Sequence, residues 1–191
     1  MSAGRLEAFS DGVIAILITI MVLDLRVPAA SDPAALLPLA PVFLSYVLSF
    51  VNIGIYWTNH HHLFQAARLV NGRVLWANIN LLFWISLFPF ATAWMGENGF
   101  APVPTALYGA VLLLAGVAYF VLERALIALE GKSAVLGSAV GSDRKGQASI
   151  VIYAIAIPLA LVAQWLGLAL YVVVAVLWFV PDRRIERTLT S

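Results

Sequence analysis

Cysteine is absent from this chain. That excludes disulfides, a thiol nucleophile and any cysteine-ligated metal. Charge is nearly as scarce. Asp, Glu, Lys and Arg make up 11% of the 191 residues, where soluble domains carry about 25%. The formal net charge of +1 gives no argument for a nucleic-acid partner. What fills the chain instead is apolar: 62% hydrophobic residues and a mean hydropathy of +0.95. That composition is an integral membrane protein's. Glu7 and Asp11 precede the first apolar run and no small-residue cleavage site follows it. A cleavable signal peptide is therefore not expected.

One stretch organises the rest. Between Asp11 and Asp24 lie only 12 uncharged residues, about 18 Å of helix. A bilayer core is about 30 Å thick, so these 12 do not span it. Arg5 to Leu25 is 21 residues, roughly 31 Å, and does. If that helix crosses, Asp11 sits at membrane depth. An ionisable residue there faces protein or water and marks a functional site by default.

Five further helices follow by the same reasoning. After the first, at about Arg5–Leu25, Pro28, Pro33, Pro38 and Pro41 make a loop that cannot be continuous helix. The second helix is expected at about Pro38–Phe64. Asn71-Gly72, between Arg68 and Arg73, reads as a turn. The third is expected at Leu75–Met95, closed by Glu97-Asn98-Gly99, and the fourth at Thr105–Leu129. Glu130 to Gly146 is a polar connection. Gly146 to Pro181 holds 36 uncharged residues, about 54 Å if helical and too long for one crossing. Two helices, at about Ala148–Gln164 and Gly167–Val180, fit it better. Basic residues support six crossings with both termini cytoplasmic. That count places Arg5, Arg68, Arg73, Arg124, Lys132, Arg144, Lys145, Arg183, Arg184 and Arg187 inside and only Arg26 outside. The chain reads as one domain, residues 1–191, of all-α polytopic class.

On the first helix, Arg5, Phe9, Gly12, Ile16, Thr19, Ile20 and Leu23 share one stripe, mostly three or four apart. By spacing alone this is a helix–helix packing seam. Asp11 lies roughly 120° from its centre, directed at a neighbouring helix. The Thr19 hydroxyl lies on the stripe, or bonds back to the Ala15 carbonyl as is common in membrane helices. His60-His61-His62 point about 100° apart and cannot converge on one metal, so no metal site is expected. One histidine is expected to be buried. Asn59 and His60 near the end of the second helix, and Asn78 near the start of the third, share Asp11's depth. They are the expected partners of Ser10 and Asp11, since buried polar groups need hydrogen bonds. Trp57, Trp76 and Trp84 read as interfacial belt or packing, and Trp94 and Trp178 as belt. Pro89 and Pro158 read as tolerated kinks, and Gly109 and Gly116 as points of close helix approach.

Arg5-x-x-x-Phe9-Ser10-Asp11, followed by Gly12 and an aliphatic run, resembles the signature of the transmembrane protein 175 family of potassium channels. The resemblance covers the whole chain, as a single six-helix unit. It implies a homotetrameric channel with helix 1 lining the pore, the motif residues anchoring that helix to the second and third. The narrowest ring, five residues after the motif acid, falls on Ile16. Ile20 and Leu23 match further apolar positions outward. Some members carry a hydroxyl four after the acid, where this chain has Ala15. The implied function is a moderately potassium-selective cation channel in a bacterial plasma membrane, with K⁺ as permeant ion and no cofactor. The Thr-Val-Gly-Tyr-Gly filter of ordinary potassium channels is absent.

The alternative is an ion-coupled secondary transporter, which places acids or broken helices near mid-membrane. Four of the six helices contain no Asp or Glu, and Glu123 lies near the end of the fourth. A membrane enzyme is a further alternative, but no paired carboxylate, cysteine or metal cluster supports it. A purely structural membrane protein is the last.

Overall fold

The computed structural model describes residues 2–67, 69–130 and 144–179. Arg68, the connection 131–143 and residues 180–191 lie outside them, so the expectations for Lys132, Val180 and the three C-terminal arginines are not addressed by the structure. Every regular element among the described residues is helical: α1 Ala3–Leu23, a 3₁₀ segment Pro33–Leu39, α2 Ala40–Ala66, α3 Gly72–Ser86, α4 Phe88–Glu97, α5 Pro102–Glu130, α6 Arg144–Val162 and α7 Gln164–Phe179.

Several boundaries depart from the sequence reading: α1 starts and ends two residues early, α5 begins at Pro102 rather than Thr105, α6 begins at Arg144 rather than Ala148, and α7 begins at Gln164 rather than Gly167, with the break at Ala163. The proline-rich stretch expected as loop contains the 3₁₀ segment, and α2 begins at Ala40 rather than Pro38. Pro33 sits in the segment's first turn, where its missing N–H costs nothing. Asp32 caps that turn, accepting from Ala34 N–H at 2.9 Å. The expected third helix is two, α3 and α4, broken at Leu87. Pro89 has no N–H and its ring crowds the carbonyl of Ile85. The pair still forms one crossing, Gly72–Glu97. Pro158 leaves α6 continuous. Asn71 starts α3 as expected, its side chain accepting from Val74 N–H at 3.0 Å.

Five helical segments are long and apolar enough to cross a bilayer. α7 is the shorter exception, with 16 residues, about 24 Å, over its described length. The chain is thus a multi-pass membrane protein. Its interior gathers Ile53, Leu81, Ile85, Phe88, Leu112 and Tyr108, all fully buried. Ser49, Thr92 and Tyr108 knot α2, α4 and α5 together by hydroxyl hydrogen bonds inside that core.

Close approach is settled by individual glycines. A Cβ on Gly109 would run into the Tyr171 ring of α7. At Gly116 the nearest atom, Tyr56 Oη, is 3.7 Å away, so the expected close approach holds for Gly109 and not for Gly116. Gly167, expected only as the start of the last helix, meets a less yielding neighbour. Its Cβ would lie 2.6 Å from Ala160 Cβ and 2.8 Å from Ala160 Cα. That obstacle is backbone and cannot rotate away. Gly167→Ala should lower stability by about 1–3 kcal/mol, the usual range for overpacking. Gly116→Ala should be neutral or slightly stabilising, because alanine favours helix and has room. Melting midpoints in detergent test the pair, and equal midpoints would contradict the packing argument.

Candidate functional site

α1 has two unlike faces. Leu6, Ser10, Ile14, Leu17 and Met21 are buried, spaced four, four, three and four, which keeps them on one side of a helix. They face α2, α3 and α4. The opposite face is open. Phe9 is 53% exposed, Ile16 57%, Ile20 44% and Leu23 80%, with Arg5, Gly12 and Thr19 also exposed among them. The stripe expected as a seam is therefore largely uncovered among the described residues. The Thr19 hydroxyl donates to backbone, with Ile16 O at 2.9 Å and Ala15 O at 3.1 Å.

The buried face is pinned by a chain of side-chain hydrogen bonds. Ser10 Oγ donates to Leu6 O at 2.9 Å. Its one proton spent, it accepts from Asn78 Nδ2 at 2.9 Å. That fixes the Asn78 amide, so its Oδ1 faces His60 Nε2 at 2.8 Å and accepts from it. Three helices, α1, α3 and α2, are joined in sequence. All three side chains are fully buried. His60 also stacks on Phe64, with ring centroids 4.5 Å apart. Its Nδ1 has no partner among the described residues.

A second set of bonds flanks the first. Trp57 Nε1 donates to Asp11 Oδ1 at 3.0 Å. Glu7 Oε1 lies 2.7 Å from His61 Nδ1. Gln65 Nε2, which can only donate, lies 2.8 Å from His61 Nε2. His61 therefore carries its proton on Nδ1 and donates it to Glu7. Trp57 and His61 stack with centroids 5.9 Å apart.

Several expectations are corrected here. His60 is the buried histidine, and with Asn78 it meets Ser10 as anticipated. Neither bonds Asp11, whose partner is Trp57, a residue read as belt or packing. Asn59 joins neither Ser10 nor Asp11. Its side chain bonds Ile55 O at 2.8 Å, on its own helix, and its carbonyl accepts from Tyr119 Oη at 3.1 Å. Arg5 and Phe9 lie on the open face, so of the four motif residues only Ser10 and Asp11 anchor α1 inside the protomer. Glu7, Trp57 and His61 were missed. Glu7 and Asp11 are four apart, as are Trp57 and His61, so each pair lies on one helix face. Two acids opposite two N–H donors at matching spacing is a signal the sequence did contain.

The fold and this helix have known counterparts. The family model for the endosomal/lysosomal potassium channel TMEM175 matches residues 5–89. A potassium channel of Chryseobacterium sp. (strain P1-3) is 49% identical over 189 residues, covering 99% of this chain and 98% of that protein. A potassium channel of Streptomyces collinus is 36% identical over 125 residues, 61% of each. The crystal structure of a lysosomal potassium-selective channel TMEM175 homolog from Chamaesiphon minutus superposes with a TM-score of 0.81. It shares 28% sequence identity and covers 94% of this chain and 97% of its own. With nearly full-length identity to one member and the same helical fold as another, this chain belongs to the TMEM175 family, a family of channels and not of enzymes.

Proposed function

We propose that four copies of this chain form a cation channel favouring K⁺, with the open face of α1 lining a central pore. The observation that carries it is the contrast between the two faces of α1. One is locked into the protomer by Ser10, Asn78 and His60. The other leaves Ile16, Ile20 and Leu23 exposed among the described residues. Four such faces around an axis would make a neck of isoleucine with apolar rings outward of it. An apolar ring repels water and closes a pore by dewetting.

Thr19 suits this arrangement. Its proton is occupied by backbone carbonyls, so the oxygen it offers the open face is an acceptor, the polarity a cation prefers. The names of the relatives support K⁺ as the permeant ion. The transporter alternative lacks buried acids along the open face. Purified protein in a planar bilayer under opposed K⁺ and Na⁺ gradients tests the reading. Unitary currents reversing toward the K⁺ potential are expected. Saturable electrically silent flux would favour a transporter, and silence a structural role.

We place the protein in a bacterial plasma membrane with both termini cytoplasmic. Glu7–His61 joins the start of α1 to the end of α2, and Arg26–Glu97, at 3.2 Å, joins the chain just after α1 to the end of α4. The hydrogen bond and the ion pair thus lie at opposite ends of the bundle. Ten of the eleven basic residues fall in segments on the first side and only Arg26 on the second. Reporter fusions at Gly99 and Gly141 should read outside and inside respectively. One side for both would overturn the topology.

A further inference from the structure

We propose that a shallow groove between α3 and α5 is a site for an anionic phospholipid. Arg73 and Arg124 would hold the phosphate while an acyl chain lies along the apolar floor. The groove is lined by Arg73, Trp76 and Asn80 of α3 and by Arg124, Val121 and Ala125 of α5. Two arginines from different helices line one depression. Arg73 is the second residue of α3, so it stands at that helix's membrane boundary. Both arginines are exposed.

Neither arginine has a carboxylate partner among the described residues; Glu97 is paired with Arg26, and Glu7 accepts from His61. Arg124 lies 4.7 Å above the Phe120 ring. Stacking engages the flat face of the guanidinium and leaves its in-plane N–H groups for a phosphate. Trp76, 76% exposed at the start of the second turn of α3, stands where interfacial aromatics meet headgroups. The apolar floor is what separates a lipid from a soluble anion, because an acyl chain occupies it and a free phosphate leaves it bare.

A second copy seated here would have to supply acids. Among the described residues on the same side of the bundle, Glu7 and Asp11 are already bonded to His61 and Trp57. Glu123 is buried. Basic pockets between membrane helices are suited to anionic headgroups, and each arginine near such a surface is worth a factor of about 5 in affinity. The leaflet is the one at the N-terminal side of α1.

The test uses the purified full chain in a zwitterionic detergent. Native mass spectrometry counts bound dioleoyl phosphatidylglycerol against dioleoyl phosphatidylcholine during titration. Phosphatidylglycerol should bind more tightly. Arg73→Gln and Arg124→Gln should each weaken it roughly 5-fold, and together roughly 30-fold, leaving phosphatidylcholine unchanged. Trp76→Ala should weaken both lipids. The Lys variants at 73 and 124 keep the charge and should keep most of the preference. They hold the proposal testable should a Gln variant fail to fold. An unchanged preference in the double Gln variant would overturn the site. So would competition by free glycerol phosphate at equal concentration, or a cross-link from Trp76 to a second copy.

Discussion

Ile16→Asn should raise the current and bring the K⁺/Na⁺ preference closer to unity. Ile16 lies about 20 Å along α1 from its start, on the face left exposed among the described residues. In the proposed tetramer four isoleucines meet there. An apolar neck resists wetting, and an ion crossing it leaves most of its hydration behind. Asparagine offers a carbonyl oxygen and two N–H donors in the same place. A ring of four would hold water in the neck, so the barrier to every monovalent ion falls and the difference between ions shrinks with it. The fold should survive, because the buried face of α1 is unaltered and the amides reach the pore water. Ile18 is the control. It is partly buried and packed against the core. Ile18→Asn should strand an amide there at a cost of about 1–3 kcal/mol, seen as a lower melting midpoint with no specific effect on conduction. If Ile16→Asn conducts like the parent, a different helix lines the pore.

Helix number was legible because apolar runs in this chain are bounded by charges or proline clusters. Leu87 shows where that reading stops. The residues around it are as apolar as those of a continuous helix, and Pro89 alone does not say whether a crossing bends or breaks. The polar anchor was half legible for a related reason. Distance along a helix fixes depth, and depth correctly grouped Ser10, His60 and Asn78. It says nothing about rotation. In a soluble helix the apolar stripe supplies rotation, whereas a membrane helix is apolar all round and the stripe is lost. Asp11 was therefore given Asn59, His60 and Asn78 at the right height and the wrong azimuth. The matched four-residue spacings of Glu7 with Asp11 and Trp57 with His61 carry the missing angle. His60 follows from the same geometry: it is seven residues, two turns, beyond fully buried Ile53 and so shares its face.

The largest loss of stability is expected at Asn78. It is the middle member of the chain from Ser10 to His60 and the only one bonded to both others. Asn78→Leu keeps the approximate volume and removes both bonds. Ser10 Oγ loses a donor but retains Leu6 O, so little is stranded on α1. His60 fares worse. Its Nδ1 has no partner among the described residues, and Nε2 would join it, in a fully buried ring. Stranding that group costs about 1–3 kcal/mol, and hydrogen bonds between membrane helices average about 0.6 kcal/mol. A loss of about 2 kcal/mol is expected, with a lower melting midpoint in detergent. Asp11→Ala should cost less. It frees one indole N–H, on a tryptophan that is itself exposed, and leaves the central chain intact. The decisive variant is the double one. His60→Phe removes the stranded nitrogens and still offers a ring to Phe64, so Asn78→Leu combined with His60→Phe should recover most of the lost stability. Detergent melting of the two single variants and the double gives the coupling directly. Additive losses would show that His60 and Asn78 do not depend on each other.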